Sequence, residues 1–210
     1  MSRLFPLIAF AVLSACDSAG GNEAFRASGE VIAFSGGDGG ATHACATCHG
    51  LKGEGDGHLA PRLAGLDAGY LHRQLDDYAN GRRQNAEMRA VARRLSGEDR
   101  AKVSAWYAAL PPTAVALPHT STLYLQQCAG CHGPRGEGVG PANPPLAGQS
   151  TAYIEAQLNA WRSGMRRGDA MSQMLAVSCA LSPSEIQLLA SHADGSLPLP
   201  RRPPTQEASR

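Results

Sequence analysis

Two copies of one short pattern constrain this chain more than any other feature: Cys45-Ala46-Thr47-Cys48-His49 and Cys128-Ala129-Gly130-Cys131-His132, at an offset of 83 residues. The Cys-x-x-Cys-His spacing is the attachment signature of a c-type haem. The two sulfurs add across the porphyrin vinyl groups as thioethers, and the adjacent histidine ligates iron from one face. A zinc ribbon brings its cysteine pairs to within roughly 15–20 residues of each other and leaves the histidine unused both times. A redox dithiol expects a βαβ setting, and no strand-rich pattern surrounds either motif.

The duplication runs well beyond the motifs. At the same offset, Gly53-Glu54-Gly55 meets Gly136-Glu137-Gly138, and Leu63-Ala64-Gly65 meets Leu146-Ala147-Gly148. Tyr70, Gln74, Tyr78 and Arg83 meet Tyr153, Gln157, Trp161 and Arg166. Past Arg166 the offset becomes 86, because the second half carries three extra residues. Each half reads as mostly helix. Asp67 and Ser150 stand as N-caps before residues at helical spacing. Ser96-Gly97-Glu98-Asp99 and Ser182-Pro183-Ser184-Glu185 have the form of capping boxes for a last helix. Aromatic residues make up only 5% of the chain, and domains of about 80 residues are marginal on side-chain burial alone. A covalent haem in each would complete the core.

The beginning of the chain, MSRLFPLIAFAVLSAC, pairs Arg3 with a short apolar run over Leu4 to Leu13. Such a run is too short to span a bilayer and fits a signal peptide. Leu13-Ser14-Ala15-Cys16 resembles a bacterial lipobox, with Cys16 as the lipid site. The expected layout is a leader over 1–16, a tether over 17–35, a first domain over 36–110, a linker over 111–120, a second domain over 121–196 and a tail over 197–210. Thioether attachment of haem in bacteria takes place outside the cytoplasmic membrane, so the expected location is the periplasm, at the inner membrane. The formal net charge of +1 does not suggest nucleic acid as a partner. The remaining cysteine, Cys179, is expected as a small buried hydrophobe.

An iron held by one histidine has a second face, and its occupant separates an electron carrier from an open-site enzyme or gas sensor. Met88 precedes a repeated segment, which marks it as a thioether ligand. The register downstream of the insertion places Met174-Leu175-Ala176-Val177 on Met88-Arg89-Ala90-Val91, and so selects Met174 over Met171; Met165 lies too near the preceding helix. His58 and His72 have no counterparts and are expected as solvated or capping residues. Arg83 and Arg166 are candidate partners for haem propionates or solvated surface residues. Loop carbonyls near Leu63 and Leu146 are candidates to hold the histidines.

With these elements in place, the chain resembles cytochrome c4, a family of periplasmic di-haem cytochromes. The resemblance implies an all-α protein of two tandem class I cytochrome c domains, each wrapped around one covalent haem. It implies that Cys45, Cys48, His49 and Met88 hold one haem and Cys128, Cys131, His132 and Met174 the other, with both irons ligated by histidine and methionine and the two haems close together. The family's first-helix aromatic is matched by Tyr124 in the second half, whereas its equivalent in the first is Ala41, inside a glycine-rich run. The last-helix aromatics are matched by Trp106 and Tyr107, against His192 and Ala193 in the second. The resemblance implies single-electron transfer without catalysis. A quinol-oxidising complex or a dehydrogenase is the expected donor and a terminal oxidase the expected acceptor. The alternative is a haem subunit that accepts electrons within a periplasmic dehydrogenase complex.

Overall fold

The computed structural model describes residues 28–112, 121–169 and 171–193. The expected leader with Cys16, most of the tether and linker, and the tail lie outside the described residues. Among the described residues the regular secondary structure is helical, with two isolated antiparallel bridges. The first domain contains α1 (Gly29–Ser35), α2 (Ala46–His49), α3 (Ala68–Asn80), α4 (Ala86–Arg94) and α5 (Gly97–Ala109). The second contains α6 (Thr122–Gln127), α7 (Ala129–His132), α8 (Thr151–Arg162), α9 (Gln173–Ala180) and α10 (Pro183–Ala193).

The helix starts follow the capping residues. Asp67 accepts the Tyr70 N–H at the start of α3, and Ser150 accepts the Tyr153 N–H at the start of α8. Ser96 and Asp99 form a reciprocal capping box on α5, and Ser182 and Glu185 make the same pair of bonds on α10. Each such cap is worth about 1 kcal/mol. In the first domain α5 lies across α1 and α3, burying Ile32, Leu71, Leu95, Val103 and Tyr107. In the second, α10 packs on α8, burying Tyr124, Ile154, Leu158, Ile186 and Leu189.

Four expectations change. The tether was expected to reach residue 35 and the first domain to begin at 36. Instead Gly29–Ser35 is a helix capped by Ser28, with Ile32 and Ala33 fully buried. These two apolar residues are buried where α1 packs chiefly on α5, so this segment belongs to the domain. Consequently Ala41 is no counterpart of Tyr124: it begins a short 3-10 turn between α1 and the first motif. The equivalent ring comes from another helix. Tyr107 on α5 lies close to Cys45 and Glu54, as Tyr124 on α6 lies close to Cys128 and Glu137. Third, Cys179 is exposed rather than buried; the inward slot of α9 is taken by Ser178, with 0% exposure, at the register position of Ala92. Fourth, the linker was expected from residue 111, yet Pro112 packs on Gly65, where any Cβ would collide with its ring, so the first domain runs through Pro112.

The domains join through a short antiparallel contact. Gln84 donates its N–H to the Met165 carbonyl at 2.8 Å, and Arg167 donates to that of Arg82 at 2.7 Å, bracketing a bridge between Arg83 and Arg166. A second contact pairs Arg62 N–H with Gln149 Oε1 at 3.0 Å, and Gln149 Nε2 with the Arg62 carbonyl at 2.9 Å.

Candidate haem centres

Each motif sits on a single helical turn, α2 or α7, closed by a glycine: Gly50 at φ 80° and Gly133 at φ 81°. That region of backbone space favours glycine. A side chain at either position would also strike a carboxylate, Glu54 in one domain and Glu137 in the other. The glutamates tie the following loop by accepting backbone N–H bonds from Lys52 at 2.8 Å and Arg135 at 2.7 Å. Backbone bonds from Gly55 to the His49 carbonyl and from Gly138 to the His132 carbonyl, both 2.8 Å, turn the loop back beneath the motif.

The returning loop delivers one carbonyl to each histidine. His49 Nδ1 lies 2.8 Å from the Pro61 oxygen, and His132 Nδ1 lies 2.8 Å from that of Pro144. A carbonyl oxygen only accepts, so Nδ1 carries the proton and the Nε2 lone pair is free for a metal. Both rings are buried, and burial lowers both pKa values, which keeps the imidazoles neutral and able to ligate. Within each motif the first cysteine is half-buried and the second exposed. Burial pushes the thiols of Cys45 and Cys128 up to about 11.

A single continuous cavity of about 1770 Å³ contains both motifs, larger than the roughly 300–1,000 Å³ typical of a site for one small ligand. Met88, Met165, Met171 and Met174 line it, and so do the core faces of both domains. Met174 is half-buried and packs against the second core, whereas Met171 is 78% exposed. The three-residue insertion changes how the methionine helix begins. In the first domain Asn85 Oδ1 accepts the Met88 N–H at 2.8 Å. In the second, Ser172 adopts φ 53° and makes no side-chain cap; Asp169 reaches from farther upstream to accept the Met174 N–H at 2.5 Å. Neither His58 nor His72 lines the cavity. Among the described residues no cluster of His, Cys, Asp and Glu is arranged to hold a metal ion by itself.

Where the two halves of the cavity meet, two arginines cross over. Arg83, 4% exposed, donates to Gln74 of its own domain at 2.9 Å and to Tyr153 and Gln157 of the other at 2.8 and 2.6 Å. Arg166 donates to Gln157 of its own domain at 3.0 Å and to Tyr70 and Gln74 of the other at 3.1 and 2.9 Å. Each guanidinium also lies over an aromatic ring, Tyr78 at 4.7 Å and Trp161 at 4.8 Å. All these hydrogen-bond partners are neutral. Two sheltered cations facing one cavity, with no carboxylate among the described residues bonded to either, call for an anionic occupant. The propionates of two haems meet that need, and the apolar walls, free Nε2 atoms and placed thiols suit the rest of the group. Sequence reasoning noticed that Arg83, Gln74 and Tyr70 repeat, but not that the repeats bond to each other across the interface. Arg62 and Gln149 align with Pro145 and Leu66, so that pair had no repeat signal.

Two helical domains, each presenting Cys-x-x-Cys-His with its histidine held by a loop carbonyl at one cavity, define a di-haem c-type cytochrome of class I architecture. A family model described as cytochrome c matches residues 37–110 and 120–192, and the chain belongs to the cytochrome c family. It is 40% identical over 187 residues to a thiosulfate dehydrogenase electron acceptor of Stutzerimonas stutzeri, covering 81% of this chain and 87% of that protein. It is 30% identical over 168 residues to cytochrome c4 of Pseudomonas aeruginosa, covering 72% and 83%. Among solved structures it matches the thiosulfate dehydrogenase TsdBA of Marichromatium purpuratum with a TM-score of 0.68 at 37% identity, covering 79% of this chain and 39% of that one. This chain thus spans about two fifths of that longer protein. It also matches cytochrome c4 of Pseudomonas stutzeri with a TM-score of 0.64 at 29% identity, covering 78% and 97%.

Proposed function

We propose that this protein is the electron-accepting cytochrome of a periplasmic thiosulfate dehydrogenase, rather than a general shuttle between respiratory complexes. The observation that carries this reading is the similarity to a named thiosulfate dehydrogenase electron acceptor, 40% identical over 87% of that protein's length, against 30% for cytochrome c4. A terminal oxidase is the onward acceptor, and a lipid on Cys16 holds the chain at the inner membrane.

In this reading Cys45 and Cys48 attach one haem and Cys128 and Cys131 the other. His49 and Met88 ligate the first iron, His132 and Met174 the second. Bound haem supplies reversible one-electron chemistry between ferrous and ferric iron. The chain does the rest. Pro61 and Pro144 fix the tautomer of each histidine, the half-buried methionines offer soft thioether sulfur that favours ferrous iron, and Arg83 and Arg166 neutralise the propionates. Joining two thiosulfate anions through a new S–S bond releases two electrons and no proton. Two domains accept them, one each.

The test is anaerobic mixing of the oxidised cytochrome with purified thiosulfate dehydrogenase and thiosulfate, followed through the haem absorption bands. Rapid reduction of both haems that requires dehydrogenase and substrate together supports the reading. Reduction by a quinol-oxidising complex, with none by the dehydrogenase, returns the protein to the shuttle role.

A further inference from the structure

The duplication supplies an internal control for the surface. Helices α4 and α9 occupy register-equivalent places in their domains, each carrying its methionine in the first turn. On α4 the residues after Met88 put Arg89, Arg93 and Arg94 into solvent. The register equivalents on α9 are Leu175, Cys179 and Ala180, and these too are exposed. Leu175 is 39% exposed. All three lie outside the cavity lining, so a bound haem leaves them uncovered. α9 carries no charged residue, and a helix this apolar is ordinarily buried, yet within it only Ser178 is.

The difference extends to the whole domain. Among the described residues the first domain carries ten acidic and ten Lys or Arg side chains, and the second carries four and four. Depletion of charge is the compositional mark of the core of a protein interface. A permanent partner makes an apolar contact, whereas an encounter partner is steered by charge. In the Marichromatium purpuratum enzyme the portion like this chain shares one polypeptide with further sequence, an arrangement that keeps partners together without charge steering.

We propose that the outer face of α9, carried by Leu175, Cys179 and Ala180, docks the catalytic subunit of thiosulfate dehydrogenase, so that electrons enter through the second domain. This rests on the acceptor reading above. The partner's matching face is itself poor in charge and sets its redox centre beside the Met174 side of the cavity. Each transfer oxidises that centre by one electron and reduces ferric iron in the second domain by one, and no proton moves.

The experiment transplants the outer face of α4 onto α9 in the haem-loaded protein. Leu175→Arg, Cys179→Arg and Ala180→Arg together are expected to slow reduction by dehydrogenase and thiosulfate by about tenfold or more, a loss of about 1.4 kcal/mol or greater. Reduction by ascorbate and the optical spectrum stay as in the wild type. Arg89→Leu with Arg93→Ala is expected to leave the rate unchanged. A wild-type rate in the triple variant overturns the proposal.

A second measurement needs no variant. Alkylation of Cys179 in the wild type, read by mass spectrometry of its peptide, is expected to slow when dehydrogenase is added, in low and in high salt alike. Reduction without protection overturns the docking face and spares the acceptor reading. Protection without reduction overturns the acceptor reading and spares the face. Protection that grows with the concentration of the cytochrome alone assigns the face to a second copy of this chain and overturns the proposal.

Discussion

Arg83 crosses the domain boundary to donate a hydrogen bond to the Tyr153 phenol at 2.8 Å, and Arg166 returns the contact to Tyr70 at 3.1 Å. The pseudo-symmetry makes each domain the hydrogen-bond complement of the other. Replacing Arg83 by Gln removes its bonds to the Tyr153 hydroxyl and to the Gln157 carbonyl, which keeps only its bond from Arg166. The expected loss is about 2–3 kcal/mol, the scale of hydrogen bonds to a charged donor. Chemical denaturation of the haem-loaded protein measures it. A double-mutant cycle with Tyr153→Phe is expected to show coupling between the two positions.

Methionine ligation is testable by optical spectroscopy of the oxidised protein, in the weak far-red band of sulfur bound to ferric haem. Met88→Ala and Met174→Ala are each expected to remove part of that band and to open one iron to carbon monoxide on reduction. Met171→Ala is expected to leave the band intact, because Met171 is 78% exposed. Loss of the band in Met171→Ala but not Met174→Ala reverses the assignment.

Tyr107 and Tyr124 fill equivalent space from different helices, with different polar consequences. The Tyr124 hydroxyl donates to the Gly133 carbonyl at 2.8 Å, whereas that of Tyr107 is buried with no hydrogen-bond partner among the described residues. Tyr124→Phe is expected to destabilise the protein by about 1 kcal/mol, and Tyr107→Phe to be neutral or slightly stabilising. Thermal unfolding of the two variants decides it; equal losses contradict the assignment.

Backbone N–H bonds to Glu54 and Glu137, the first with Lys52 and the second with Arg135 alongside, hold both carboxylates below the usual value of 4.5. A depressed folded-state value stabilises the protein at pH above the unfolded value, and the effect fades as pH falls through the folded one. Glu54→Gln and Glu137→Gln are therefore expected to lower stability at neutral pH, with the difference from wild type closing in acid. Denaturation midpoints across pH 2–7 check the sign, and a difference independent of pH rejects it. Both side chains are exposed, so the effect is small.

Much of the site was legible in the chain because covalent chemistry and duplication leave local marks. The motif spacing identified the cofactor, and the repeat located Met88 and Met174 on a common segment. Caps at Asp67, Ser96, Ser150 and Ser182 were readable because a cap bonds to the residue three positions on. The buried slot of α9 was not readable: Cys179 and Ser178 are adjacent and similar in size, and only the direction in which the helix is set on its domain gave the slot to Ser178. Nor was α1, since two buried residues in a glycine-bordered stretch are too weak a pattern without α5 to cover them.

The sequence by itself determined two covalent haems, the two Cys-x-x-Cys-His motifs and a helical unit used twice, since those depend on spacings within a few dozen residues. Only the tertiary structure decided what the repeats do to each other. Arg83 and Arg166 sit equally well at a solvated surface or against a haem when judged from their neighbours in the chain. Their partners in the other domain lie about 70 to 96 residues away, and long-range contacts of buried polar groups are set by how two folded domains fit, which no local pattern encodes.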